Sequence, residues 1–253
     1  MRREAPSLAV LQAEHFNERA AAWTDRYRTN RSFRARLGVV GGAVDAALAD
    51  VPSARVMDYG GGTGVFSALA AQRAAVVVCV DRSMAMLKSG LANQEATNAL
   101  LTGAGFGRPA GRVLRVAGDE GWVRGVSTLF DLVLAIAVLE YVDDCDRLLE
   151  SFARLLVPGG RVLLTVPDSG SALRRAQRFA ASVAPRGASQ SQRLADQSFV
   201  KVQSHGGRVP WQDAAARIGL DVEKVVRVPL GQTGAYRFVR PNLLVSLRPR
   251  GSA

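Results

Sequence analysis

Segments rich in apolar residues predict strands near 55–59, 76–80, 112–117, 129–135, 161–167, 222–228 and 240–248. Val76 to Val80 is apolar throughout, as a buried strand requires. Between them the pattern changes to helical spacing, at 64–73, 83–95, 144–156 and 210–218. In the last of these, Ala214, Ala215 and Ile218 fall on one side and Gly219 marks the C-terminal cap. Pro158 and Gly159 stop the helix before the fifth strand. Strand and helix therefore alternate, which predicts an α/β fold with a doubly wound sheet. Ahead of this core, about Leu8 to Asp50 reads as N-terminal helices.

Composition narrows the class. A chain of 253 residues suffices for one large α/β domain with a full core. Two cysteines, Cys79 and Cys145, cannot build a disulfide framework, so both read as thiols of a reduced, cytoplasmic compartment. The first 30 residues are charged and carry no apolar h-region, which predicts no signal peptide. The longest apolar run, Leu132 to Leu139, is too short to span a bilayer. The two histidines lie far apart, so no metal site of the H-x-x-x-H kind is expected.

The candidate chemistry begins at Val56-Met57-Asp58-Tyr59-Gly60-Gly61-Gly62-Thr63-Gly64. An apolar strand ends in a carboxylate and meets a glycine turn that opens into a helix. Asp81 follows 17 residues after Gly64, at the end of the second strand. Such a unit can hold an adenosine-containing cofactor. Glycines let the backbone approach the ligand, and the second-strand carboxylate accepts hydrogen bonds from both ribose hydroxyls. A dinucleotide fingerprint, G-x-G-x-x-G, would need its third glycine at 65, which is Val65. A pyrophosphate at the helix N-terminus would also be repelled by Asp58. S-adenosylmethionine brings a sulfonium and an ammonium instead, which a carboxylate favours.

On these residues the chain resembles the class I S-adenosylmethionine-dependent methyltransferases. Three further segments come in order: Arg112 to Asp119, Phe130 to Val142, and Leu156-Val157-Pro158-Gly159-Gly160-Arg161-Val162-Leu163-Leu164, which is similar to the family's L-x-P-G-G-x-L turn. The resemblance implies a Rossmann-like seven-stranded sheet in the order 3-2-1-4-5-7-6 with the last strand antiparallel. It also implies cofactor contacts at Asp58, Gly60, Gly62, Gly64, Asp81 and Ile136, with Asp119 near the adenine amino group.

Nearer the N-terminus, His15-Phe16-Asn17, Trp23 and Arg36-Leu37-Gly38 are similar to the UbiG-type small-molecule O-methyltransferases of quinone biosynthesis. That similarity implies that Arg36 reaches the cofactor's methionine carboxylate and that a small organic acceptor is methylated at oxygen. The group carries Leu-Glu-His after strand four, where this chain has Leu139-Glu140-Tyr141. Glu140 and Tyr141 are candidates for orienting the acceptor, and so is His205, whose imidazole titrates near neutrality.

One methyltransferase domain then divides into an N-terminal helical cap (1–50), a cofactor-binding core (51–167), a basic lid insert (168–209) and a C-terminal helix with a strand hairpin (210–253). The insert holds Arg174, Arg175, Arg178, Arg186, Arg193, Lys201 and Arg208, much of the formal net charge of +11. Such a surface suits an anionic membrane or an acidic carrier protein bearing the acceptor. It is also compatible with RNA. Against that reading, no appended RNA-binding domain is visible, and neither an Asn-Pro-Pro-Tyr nor a Pro-Cys pair follows strand four. A binding module without catalysis is the remaining alternative, although the glycine turn and ribose carboxylate are both intact.

Overall fold

The computed structural model describes residues 8–168, 171–173 and 215–251. Three helices come first: α1 (Leu8–Arg19), the single turn α2 (Arg26–Thr29) and α3 (Arg31–Leu48). Asn30 starts α3 by accepting the N–H groups of Ser32 and Phe33, which satisfies orphan donors of the first turn. The core continues as β1 (Arg55–Tyr59), α4 (Val65–Ala70), β2 (Val76–Asp81), α5 (Met84–Ala92), α6 (Gln94–Gly103), β3 (Arg112–Ala117), α7 (Glu120–Gly125), β4 (Phe130–Ala135), α8 (Cys145–Arg154) and β5 (Leu156–Pro167). β6 (Leu220–Val228) and β7 (Asn242–Pro249) complete the sheet.

The strand order is β3-β2-β1-β4-β5-β7-β6. β3, β2, β1, β4 and β5 run parallel, and β7 lies antiparallel to both β5 and β6. The expected topology is therefore the observed one. All seven predicted strands are present, and β5 starts earlier than expected. Leu156 pairs with Phe130, and the register shifts before Leu132 pairs with Arg161. Pro158 and Gly159 thus lie in an irregular part of the strand, with Gly159 at φ 78°.

The helices depart more. The helix expected at 83–95 is α5, which ends at Asn93 (φ −105°, ψ 25°), and α6 beyond it was not expected. The short α7 was not expected at all. Of the helix expected at 210–218 only its end is described, at 215–217, followed by Gly219 at φ 73° as its cap requires.

Side-chain alternation divides the interior into two layers, as a sheet buried on both faces demands. Met57, Val133, Ala135 and Leu164 face α8 with Phe152 and Leu155. Val56, Leu132, Leu134 and Leu163 face α3 and α4 with Leu37, Val40, Val44 and Leu69. Strand order reverses between β1 and β4, and the crevice at their carboxyl ends is where an open α/β sheet takes its ligand.

Among the described residues no helix is long and apolar enough to cross a membrane, and no cluster of His, Cys, Asp and Glu could hold a metal ion.

Candidate active site

The glycine turn after β1 is shaped by three left-handed residues, Gly60 (φ 68°), Gly62 (φ 58°) and Gly64 (φ 80°), a conformation that costs glycine almost nothing. The N–H groups of Gly60 and Gly61 both point to the Val80 carbonyl, at 2.8 and 3.1 Å, which ties the turn to the end of β2. Asp81 continues that tie. Its Oδ2 accepts the Gly62 N–H at 2.8 Å and its Oδ1 accepts the Ser83 N–H at 2.7 Å. Burial raises the Asp81 carboxyl above its ordinary range, while those two backbone donors and Arg82 oppose the rise.

Asp58 lies beneath the turn, 1% exposed. Ser67 of α4 donates to its Oδ2 at 2.6 Å. Burial pushes the Asp58 carboxyl up to about 6; nearby Asp81 adds to the shift, and the Ser67 hydroxyl works against it. Cys79, buried beside it, is pushed up to about 12, chiefly by burial, so its thiol stays protonated and unreactive.

Seven of the candidate residues line one cleft over these groups: Arg36, Asp58, Gly60, Gly62, Asp81, Ile136 and Tyr141. Gly64 lies behind the turn, at the N-terminus of α4. Asp119 is turned elsewhere. Its carboxylate accepts the N–H groups of Gly121 and Trp122 at 2.9 and 3.2 Å, as the cap of α7, and it borders a separate depression with Arg124 and Arg147. Its neighbour Glu120 lines the cleft instead. Glu140 belongs to the short 3-10 turn Leu139–Tyr141 and does not line the cleft. His205 and the basic residues from Arg174 to Arg208 fall outside the described residues.

The cleft is covered from the N-terminal side. Phe16 of α1 meets Tyr141 edge-on at 5.2 Å and Trp23 at 5.6 Å, and Trp23 in turn meets Phe33 at 5.8 Å. Polar contacts fasten this cover to the core. Arg82 donates to Gln12 at 3.2 Å and to Glu120 at 3.1 Å. Ser83 donates to Asn17 at 2.7 Å, and Thr24 and Thr63 share a buried hydroxyl contact at 3.2 Å. Sequence reasoning missed Arg82, Glu120 and Gln12. The first two directly follow the acidic residues Asp81 and Asp119 at strand ends, a signal available in the sequence; Gln12 carried none. Beneath this cover the free volume is about 90 Å³.

Comparison with known proteins agrees with this geometry. Residues 22–203 match a family described as a methyltransferase domain. The chain belongs to the methyltransferase-domain family. A relative, the biotin biosynthesis bifunctional protein BioHC of Cellvibrio japonicus, is 29% identical over 177 residues, covering 66% of this chain and 32% of that protein. The methyltransferase chain thus spans about a third of that relative's length. Among solved structures, magnesium protoporphyrin IX methyltransferase (ChlM) from Synechocystis with bound SAM is similar at a TM-score of 0.58 and 15% identity, covering 97% of this chain and 98% of that one. The N-methyltransferase NodS from Bradyrhizobium japonicum with S-adenosyl-L-homocysteine is similar at 0.58 and 15%, covering 96% and 100%. At such identities the likeness is one of fold, and that fold is the methyltransferase sheet described above.

Proposed function

We propose that this methyltransferase transfers a methyl group from S-adenosylmethionine to the oxygen of a small organic acceptor in a biosynthetic pathway. The observation that carries the reading is the convergence of the Asp81 carboxylate, the Gly60–Gly62 turn and buried Asp58 on one covered cleft. These residues fit the cofactor's parts. Asp81 presents a carboxylate to ribose hydroxyls, the glycine backbone leaves room beside it, Asp58 favours cationic groups, and Arg36 offers a guanidinium to the methionine carboxylate. The cofactor, when bound, supplies an electrophilic methyl on a sulfonium. The chain's own part is to align the acceptor and exclude water, which is worth up to about 7–11 kcal/mol when alignment is good. Phe16, Trp23 and Tyr141 supply the dry wall, and Tyr141, with Glu140 and His205 as further candidates, orients the acceptor. The choice of oxygen rests on the resemblance of the N-terminal segment to UbiG-type enzymes.

Calorimetric titration tests the reading directly. Tight, stoichiometric binding of S-adenosylhomocysteine with none of NAD is the expected result; binding of NAD alone would overturn it. Mass analysis of products from phenols, carboxylic acids and amines then tests the preference for oxygen.

Asp58 gives a second expectation. With its carboxyl pushed up to about 6 by burial, it is largely protonated below that pH when no ligand is bound. A cationic ligand favours the carboxylate, so binding releases a proton there, and affinity for S-adenosylmethionine should rise with pH through about 6 and then level off. The effect on folding has the opposite sign. A folded-state pKa raised above the ordinary 3.8 contributes stability that is fully present below about pH 4 and is lost as pH rises through 6. Asp58→Asn should flatten the affinity profile. A wild-type affinity constant between about pH 5 and 7 would remove Asp58 from the site.

A further inference from the structure

β4 ends in a conformation that alanine seldom adopts. Ala137 has φ 57°, in the left-handed region where its Cβ is crowded. The strain sits in the cleft wall, because Ala137 lines it between Ile136 and Val138. Such a conformation persists only where the surroundings impose it, and the neighbouring strand does so. The Thr165 hydroxyl of β5 accepts the Ala137 N–H at 2.8 Å, and Thr165 is only 3% exposed.

The position of this contact explains why a side chain is needed. The β4–β5 pairing ends at Ala135 and Leu164, so the ladder stops short of Ala137. On β5, Thr165 stands between Leu164 and Val166 in an otherwise apolar run. Its hydroxyl thus meets a backbone donor two residues beyond the ladder, at the point where the chain turns into the cleft. Past that point Val138 packs on the glycine turn and Tyr141 on the cover. A Cβ on Gly60 would lie 2.4 Å from Cγ2 of Val138, and the Tyr141 ring meets that of Phe16.

We propose that Thr165, which does not line the cleft, is a positioning residue for the cofactor, acting through the left-handed Ala137 to hold Val138 against the glycine turn. The proposal rests on the reading of this cleft as the S-adenosylmethionine site.

Calorimetry with S-adenosylhomocysteine on a set of variants tests it, with melting temperatures measured alongside. Thr165→Val keeps the shape and removes the acceptor, and should weaken binding about tenfold, the scale of one buried hydrogen bond. Thr165→Ser should bind like the wild type. Ala137→Gly isolates the strain: glycine adopts this φ freely, so alone it should change binding less than Thr165→Val. Combining Ala137→Gly with Thr165→Val should recover part of the lost affinity, because glycine takes this φ without the strain that the lost hydrogen bond had offset. A double variant as weak as Thr165→Val alone overturns the route through Ala137. A lower melting temperature with unchanged affinity overturns the positioning role. If Thr165→Val folds poorly, Thr165→Ala with and without Ala137→Gly makes the same comparison. A wild type that ignores S-adenosylhomocysteine rejects the cofactor reading itself, and this inference with it, while a wild type that binds leaves the variants to decide.

Discussion

Asp81→Ala is expected to weaken S-adenosylhomocysteine binding at least tenfold while leaving the sheet folded. The residue ends β2, and its two oxygens already hold the Gly62 and Ser83 N–H groups at 2.8 and 2.7 Å. Each oxygen keeps a second lone pair for a ribose hydroxyl. Hydrogen bonds to a charged group are worth about 1.5–3 kcal/mol, and about 1.4 kcal/mol is tenfold in affinity, so losing even one ribose contact reaches the stated size. Releasing Gly62 adds to the loss, because the backbone of the glycine turn is then tied to the end of β2 only by the Gly60 and Gly61 bonds to Val80. Asp81→Asn separates the two contributions. It retains one acceptor for the turn and loses the negative charge, so its affinity should fall between wild type and the alanine variant. The check is calorimetric titration of all three, with circular dichroism to show that the sheet survives. Wild-type affinity in Asp81→Ala would remove the ribose assignment.

Gly90→Ala is expected to destabilise the protein by about 3 kcal/mol, at the upper end of the usual cost of overpacking. Propensity alone argues the other way, since a mid-helix glycine costs about 0.5–1 kcal/mol relative to alanine. Packing decides it. A Cβ at Gly90 would lie 2.1 Å from the Thr63 carbonyl oxygen and 2.6 Å from its carbon. Those are backbone atoms and cannot rotate away, so α5 or the glycine turn must shift. For a domain of this size, 3 kcal/mol corresponds to a drop of about 6–12 °C in melting temperature. Cofactor affinity should fall as well, because Thr63 belongs to the turn. Gly103→Ala is the control: nothing lies within 4 Å of its added Cβ, so it should be neutral or slightly stabilising. Thermal denaturation of the two variants checks the contrast, and equal melting temperatures would reject it.

These cases show what could be read from the chain and what could not. The central strands were legible because β2 and β4 are nearly unbroken apolar runs and the glycine turn marks the end of β1, whereas the sheet order followed from the resemblance to the methyltransferases. The cofactor turn and Asp81 were legible because their chemistry is local, a few residues with fixed spacing. Asp119 shows the limit of that reasoning. A carboxylate just after a strand serves equally as a ligand group or as a helix cap, and here the N–H groups of Gly121 and Trp122 take it. α7 escaped notice because six residues containing two glycines carry little periodicity. α6 was missed as a separate helix because it follows α5 across the single residue Asn93, with neither proline nor glycine at the break. The N-terminal cap was legible in outline, but not the contacts that fasten it: Gln12 with Arg82 and Thr24 with Thr63 join residues far apart in sequence. Gly90 and Thr165 are of the same kind, each ordinary in its own segment and decisive only against a neighbour.

The place of β7 has a consequence for how the molecule is made. β7 lies between β5 and β6 in the sheet yet comes after β6 in the chain, so β6 leaves the ribosome with no neighbour to pair with. At about 5–20 residues per second, it waits roughly a second or more until Asn242–Pro249 is synthesised and slots in beside it. Until then β5 keeps an open edge along Val162 to Pro167, the stretch that later pairs with β7, and an unpaired apolar edge is prone to join other chains. Nascent chains halted within the loop before β7 should therefore be the ones that recruit chaperones or aggregate.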